Sequence, residues 1–334
     1  MRGMFQSIDT ENADLAAAFS ADGTELESLA SGATPMESGL SDELISDEIL
    51  DEYPGPPEAE ETWAARDFKV DSAASDVSAE IYRRRKLMGN SYPFDLDRST
   101  LRYRGSATLV YEFCLATACA PRITEGNFVR LPRNFERIVA IIVGLYLGTD
   151  AVHRIGDPTD DDDPPGHPRT FVDRMKYLRD RSAENAEEWL VEPEFGFDAE
   201  GKNAKDMGLD IVVWKDFPDR RVGRATMIGQ CACGKNDITS DAKMRENLPE
   251  RYATSLRRMT WSPPFRFYAV PFHLPNDARF KKMHSTGGLA LDRARLSMIA
   301  EVVANQGKFQ PLRQTIVELI RLVIPNFQVL APTV

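Results

Sequence analysis

The chain has 334 residues, 42% of them hydrophobic and 28% charged, enough for one large domain or two ordinary ones with buried cores. A net charge of −11 taken whole argues against a nucleic-acid partner, while four cysteines without a CxxC pair exclude a disulfide scaffold, and four scattered histidines give no zinc-finger spacing. The longest apolar run, 138–147, is too short to span a bilayer, and the N-terminus lacks a signal-peptide core, so a reducing, cytoplasmic setting is expected.

The charge is unevenly spread. Residues 1–62 hold sixteen acidic residues against one basic residue, Arg2, a net −15 that leaves +4 on the rest of the chain. This acidic N-terminal segment is poor in aromatics and rich in Ser, Gly and Ala, and is expected to be partly disordered, with a short helix over 42–50. It reads either as a solvating tail or as a tethered strip that docks on a basic groove and competes there with DNA phosphates. Prolines at 53–57 close it.

Residues 63–130 read as a helical region. Helical spacing over 79–90 presents Arg83, Arg84, Arg85 and Lys86, a solvated face or a DNA-backbone contact. The apolar stretch 105–119 is helix-compatible. Residues 134–147 predict a buried helix, capped by Asn134 and ended by Gly148. The acidic, proline-bearing stretch 157–168 predicts an exposed loop rather than a calcium cage. An amphipathic helix follows over 170–190, with a break near Ser182.

The informative stretch begins at Gly208. Asp210 leads into Ile-Val-Val-Trp-Lys, turn residues follow at 217–223, and 225–232 is a second strand. A turn centred near Arg220 makes paired positions sum to about 440, which puts Val212 opposite Ile228, Trp214 opposite Thr226 and Asp210 opposite Gln230. A carboxylate and a carboxamide then share the open end of a hairpin, where a metal ion can be held. Cys231, Cys233, Trp214 and Trp261 read as packing residues. Strands are expected over 265–272 and at the start of 287–296, the latter entering a helix, with a last amphipathic helix over 311–324. Asp292, Arg293 and Arg295 read as a local ion pair or a phosphate contact. The whole predicts an α/β fold with a mixed central sheet flanked by helices.

The segments GLDIVVWKDFPD and GQCACG, with Glu136 on an upstream apolar helix, resemble the PD-(D/E)xK restriction-endonuclease-like nucleases of bacterial anti-phage defence and restriction systems. The resemblance covers roughly 130–300 and implies a nuclease domain over 131–334. It implies a Mg²⁺ or Mn²⁺ site built from Asp210, Gln230, the backbone carbonyl of Cys231 and Glu136, with a lysine to orient the attacking water. The lysine position of a QxK variant is Ala232, so Lys235 and Lys243 are the candidates for that amine. The implied activity is Mg²⁺-dependent cleavage of DNA, with Asp210, Gln230, Glu136, Lys243 and Lys235 as site residues. The alternatives are a catalytically impaired nuclease fold that binds DNA or assembles a complex, and an interaction module that recruits a partner ATPase. Partners admitted by the reading are DNA, a defence protein such as an ATPase or helicase, and a second copy of the chain, with no membrane.

Overall fold

The computed structural model describes residues 8–36, 60–156, 167–182, 187–192, 208–219, 221–239, 244–245, 248–253, 255–275, 277–302, 304 and 307–330, with the backbone alone for 8–13, 60–70 and 238–239. In chain order the first elements are α1 (Ile8–Ser31), β1 (Ala33–Pro35), α2 (Glu60–Met88), β2 (Phe94–Asp97), β3 (Thr100–Tyr103) and α3 (Val110–Cys119). Next come α4 (Arg130–Leu147), β4 (Val152–Arg154), α5 (Phe171–Asp180), β5 (Leu190–Val191), β6 (Ile211–Lys215), β7 (Ala225–Cys231), α6 (Lys235–Thr239), α7 (Leu248–Tyr252) and β8 (Leu256–Arg258). The last are β9 (Phe265–Ala269), α8 (Asp277–Gly287), β10 (Leu289–Leu291), α9 (Arg293–Val302) and α10 (Arg313–Val323). Among the described residues no helix is long and apolar enough to cross a membrane.

The chain forms two compact units, one of residues 1–121, 272–280 and 309–334, the other of 122–271 and 281–308. This division does not follow boundaries at 62 and 130. The acidic segment, the helical region and the C-terminal helix α10 belong to one unit.

In that first unit a three-stranded antiparallel sheet, ordered β1–β3–β2, accompanies helices α1, α2, α3 and α10. The expectation of a partly disordered N-terminal segment is corrected over 8–36. Leu15, Ala18, Ala21, Asp22, Glu25, Ser28 and Leu29 are buried at three- and four-residue intervals, one stripe of α1. Its acids are neutralised inside the unit. Arg84, fully buried, lies 2.7 Å from Asp22, 3.0 Å from Glu25 and 2.8 Å from Glu80. The hydroxyls of Tyr92 and Tyr111 donate to Glu25 at 2.6 and 2.8 Å. The basic run at 83–86 is therefore not one solvated or DNA-facing surface: Arg84 is core, Arg83 pairs with Glu80 at 2.7 Å, and only Arg85 and Lys86 are exposed. The helix expected over 42–50 and the loop at 157–166 lie outside the described residues.

The second unit is built on a five-stranded mixed sheet, ordered β10–β9–β7–β6–β4. Strands β4, β6 and β7 form an antiparallel meander, and β9 and β10 add in parallel. The expected α/β class and mixed, helix-flanked sheet are observed. On one face α4 packs against β4 and β6, and Phe135, Ile138, Val139 and Ile142 form its buried stripe. The helix starts four residues before Asn134, whose Nδ2 instead donates to the Arg130 carbonyl at 2.9 Å. It ends as expected at Gly148, in the left-handed conformation that glycine adopts without a Cβ clash. On the other face Phe171, Met175 and Leu178 of α5 join Trp189, Leu209, Val212, Trp214, Ile228, Leu248, Tyr252 and Leu256 in an apolar core. α5 is capped by Thr170, which accepts the Asp173 N–H at 3.2 Å, and stops short of Ser182. Trp214 is buried as expected. Trp261 is not: it is 40% exposed, beneath the Arg258 guanidinium.

Candidate active site

The hairpin register is the one that turn position requires. Val212 pairs with Ile228 and Trp214 with Thr226, all summing to 440, and the ladder ends at Ile211–Gly229. One step further sets Asp210 opposite Gln230. Asp210 is fixed there by its backbone: its N–H donates to the Gly229 carbonyl at 3.1 Å, and its carbonyl accepts from Ile155 and Gly156 at 2.8 and 3.2 Å. Its side chain, 9% exposed, accepts the Cys231 N–H on Oδ2 at 2.7 Å.

That bond locates a second oxygen. Ala232 donates to the Ala269 carbonyl at 2.9 Å, so alternate peptides of β7 face β9, and the Cys231 peptide faces the β6 side. In extended backbone the N–H and C=O of one residue point the same way. The Cys231 carbonyl is thus directed to the side of β7 on which Asp210 lies. Cys231 and Cys233 are buried free thiols, as their packing reading expects.

Gln230 is buried and pairs across the sheet with Tyr268 of β9. Because side chains alternate, Gln230, Ile228, Val212 and Tyr268 share the α5 face. Cys231 and Gly229 turn the other way, and a Cβ on Gly229 would lie 2.0 Å from the Phe267 ring that covers it.

Glu136 of α4 reaches the same end of the sheet from the α4 face. Its Oε2 lies 2.8 Å from Arg154 Nε, both side chains nearly buried, and its carboxylate rests against Gly156, whose N–H donates to Asp210. Ala232 is buried. Lys235 is exposed and opens the short helix α6, not a loop. Lys243 lies outside the described residues. Asp292 caps α9 by accepting the Arg295 N–H at 3.0 Å, and buried Arg293 donates to the Pro271 carbonyl at 3.0 Å. These are helix-start and backbone contacts.

The structure therefore brings Asp210 to the Cys231 peptide, sets Gln230 on the adjoining face, and holds Glu136 in an ion pair at the same sheet end. Among the described residues no group of three His, Cys, Asp or Glu side chains is placed to hold a metal. Asp210, Gln230 and the Cys231 carbonyl are all oxygen donors, a set that suits Mg²⁺ or Mn²⁺, which take one or two carboxylates and keep several waters. Tyr268 and Asp237 are neighbours that sequence reasoning passed over. A lone tyrosine in an apolar strand carries no spacing signal, and Asp237 follows the motif at no fixed offset.

No family model, no curated protein and no solved structure matches this chain.

Proposed function

We propose that the second unit is a Mg²⁺-dependent DNA endonuclease of the PD-(D/E)xK restriction-endonuclease-like type, the effector of a bacterial defence or restriction system. The observation that carries this reading is the Asp210 carboxylate set beside the Cys231 peptide at the open end of an antiparallel hairpin, with Gln230 next in the strand. The order of elements supports it: a helix, three antiparallel strands, then a crossover to a parallel strand.

A bound Mg²⁺ supplies charge neutralisation at the phosphate and a more acidic water. For that ion Asp210 is the charged ligand, and the Gln230 carboxamide and Cys231 carbonyl are neutral ones. Neutral oxygens leave the site with less charge than a double-carboxylate site. Arg154 orients Glu136 toward the same sheet end, and Lys235 at the head of α6 is the described lysine nearest in sequence to the motif.

A second reading, a nuclease fold that binds DNA or assembles a complex without cutting, is favoured by two observations. Ala232 stands buried where the lysine of the motif belongs, and Glu136 is committed to Arg154. Incubating the full chain with supercoiled plasmid and Mg²⁺, beside Asp210→Ala, separates the two. Nicking lost in the variant supports the endonuclease; retention of plasmid with no nicking by either protein supports the second reading.

A further inference from the structure

Tyr268 is 1% exposed, and its hydroxyl has no hydrogen-bond partner. A buried hydroxyl without a partner is destabilising, so a group placed this way is suited to a ligand that supplies the missing contact. It stands opposite Gln230 in the β7–β9 pairing. Burial first, then the charges of Asp237, Cys231, Asp210 and Cys233, raise its pKa far above that of an ordinary tyrosine. The hydroxyl stays protonated across the working pH range and acts as a donor.

Asp237 is anchored nearby. Its Oδ2 accepts the Gly234 N–H at 3.1 Å, which folds the head of α6 back toward the end of β7. Two carboxylates, on Asp210 and Asp237, and one buried carboxamide thus surround a hydroxyl that faces them with its proton uncommitted. Carboxylates alone attract a cation; a phenol proton needs an oxygen to accept it. A hydrated or phosphate-bearing divalent ion meets both requirements.

We infer that Asp237 and Tyr268 complete a divalent-cation site with Asp210 and Gln230, Asp237 as its second carboxylate and the Tyr268 hydroxyl as hydrogen-bond donor to the oxygens around the ion. This rests on reading Asp210 and Gln230 as a site for a hard divalent ion. It assigns the second carboxylate to Asp237 rather than to Glu136, which Arg154 holds.

The test uses the full chain and Mn²⁺ alone as probe, with thermal unfolding followed across a Mn²⁺ titration. The wild-type transition rises with Mn²⁺, and Asp210→Asn and Asp237→Asn abolish the rise. Tyr268→Phe melts without metal no lower than wild type, because it removes an unpaired hydroxyl, and needs about five-fold more Mn²⁺ for the same shift, the worth of one hydrogen bond. No Mn²⁺ response in the wild type overturns the inference, as does a response that Asp237→Asn and Tyr268→Phe leave unchanged. Plasmid cleavage run on the same samples keeps the two readings apart. A Mn²⁺ response lost in the variants, with no cutting by the wild type, supports the cation site and removes the nuclease reading. Cutting by the wild type, with the Mn²⁺ response intact in Asp237→Asn and Tyr268→Phe, overturns the site and leaves the nuclease.

Discussion

Acidification tests the packing of the α5 face through one residue, His153. Its ring stacks on Trp214 with centroids 4.1 Å apart and meets the edge of Tyr177 at 5.8 Å. Burial, followed by the guanidinium charges of Arg181 and Arg224, lowers its pKa from 6.5 to about 4. Nε2 makes no hydrogen bond that protonation could strengthen. The folded pKa lies below the unfolded one, so this stabilisation is complete above pH 6.5 and is lost as pH falls toward 4. A gap of about 2.5 pH units at about 1.4 kcal/mol each sets a ceiling of roughly 3 kcal/mol, of which about 2 kcal/mol disappears between pH 6.5 and 5. His153→Phe keeps an aromatic ring against Trp214 and removes the titration. Urea unfolding at pH 7 and pH 5, followed by tryptophan fluorescence, gives the pH-dependent loss for each protein. The wild-type loss should exceed the variant's by about 2 kcal/mol. Equal losses would refute the argument, whatever the two stabilities at pH 7.

Three further outcomes follow from the same packing. Arg84→Ala strands Asp22, Glu25 and Glu80 without their buried cation and should cost about 3–5 kcal/mol in urea denaturation; a cost under about 1 kcal/mol would mean the carboxylates are neutral or hydrated. Gly229→Ala drives a methyl into the Phe267 ring and should cost about 1–3 kcal/mol in the same assay. Deleting residues 1–36 removes α1 and its buried stripe, so circular dichroism should show loss of helix beyond the deleted residues. A deletion that leaves the remaining helix intact and tightens DNA binding at low salt would restore the competing-tail reading.

What was legible in the sequence follows from which interactions are local. The hairpin register was readable because a turn fixes the sum of paired positions and each strand keeps a strict period of two. α4 was readable from its apolar stripe and Gly148, though not its first turn, where Pro132 stands in a place that tolerates it. The N-terminal helix was not readable. Its buried stripe is made of alanine, serine and acids, and Asp22 and Glu25 become core residues only through Arg84, about sixty positions away. Charge counting treats such acids as solvated, and the Arg83–Lys86 run fails for the same reason from the other side. At the site, Asp210 and Gln230 were visible as a motif. Tyr268 was not, because its relevance comes from the parallel β7–β9 pairing, which no turn encodes.

The account turns on an ion at Asp210. Crystals of the full chain grown with Mn²⁺ and measured at the manganese absorption edge test this directly. An anomalous peak about 2.1 Å from an Asp210 carboxylate oxygen, within ligand distance of the Cys231 carbonyl, is the result predicted. A fully occupied manganese elsewhere in the chain, with none at Asp210, would contradict it.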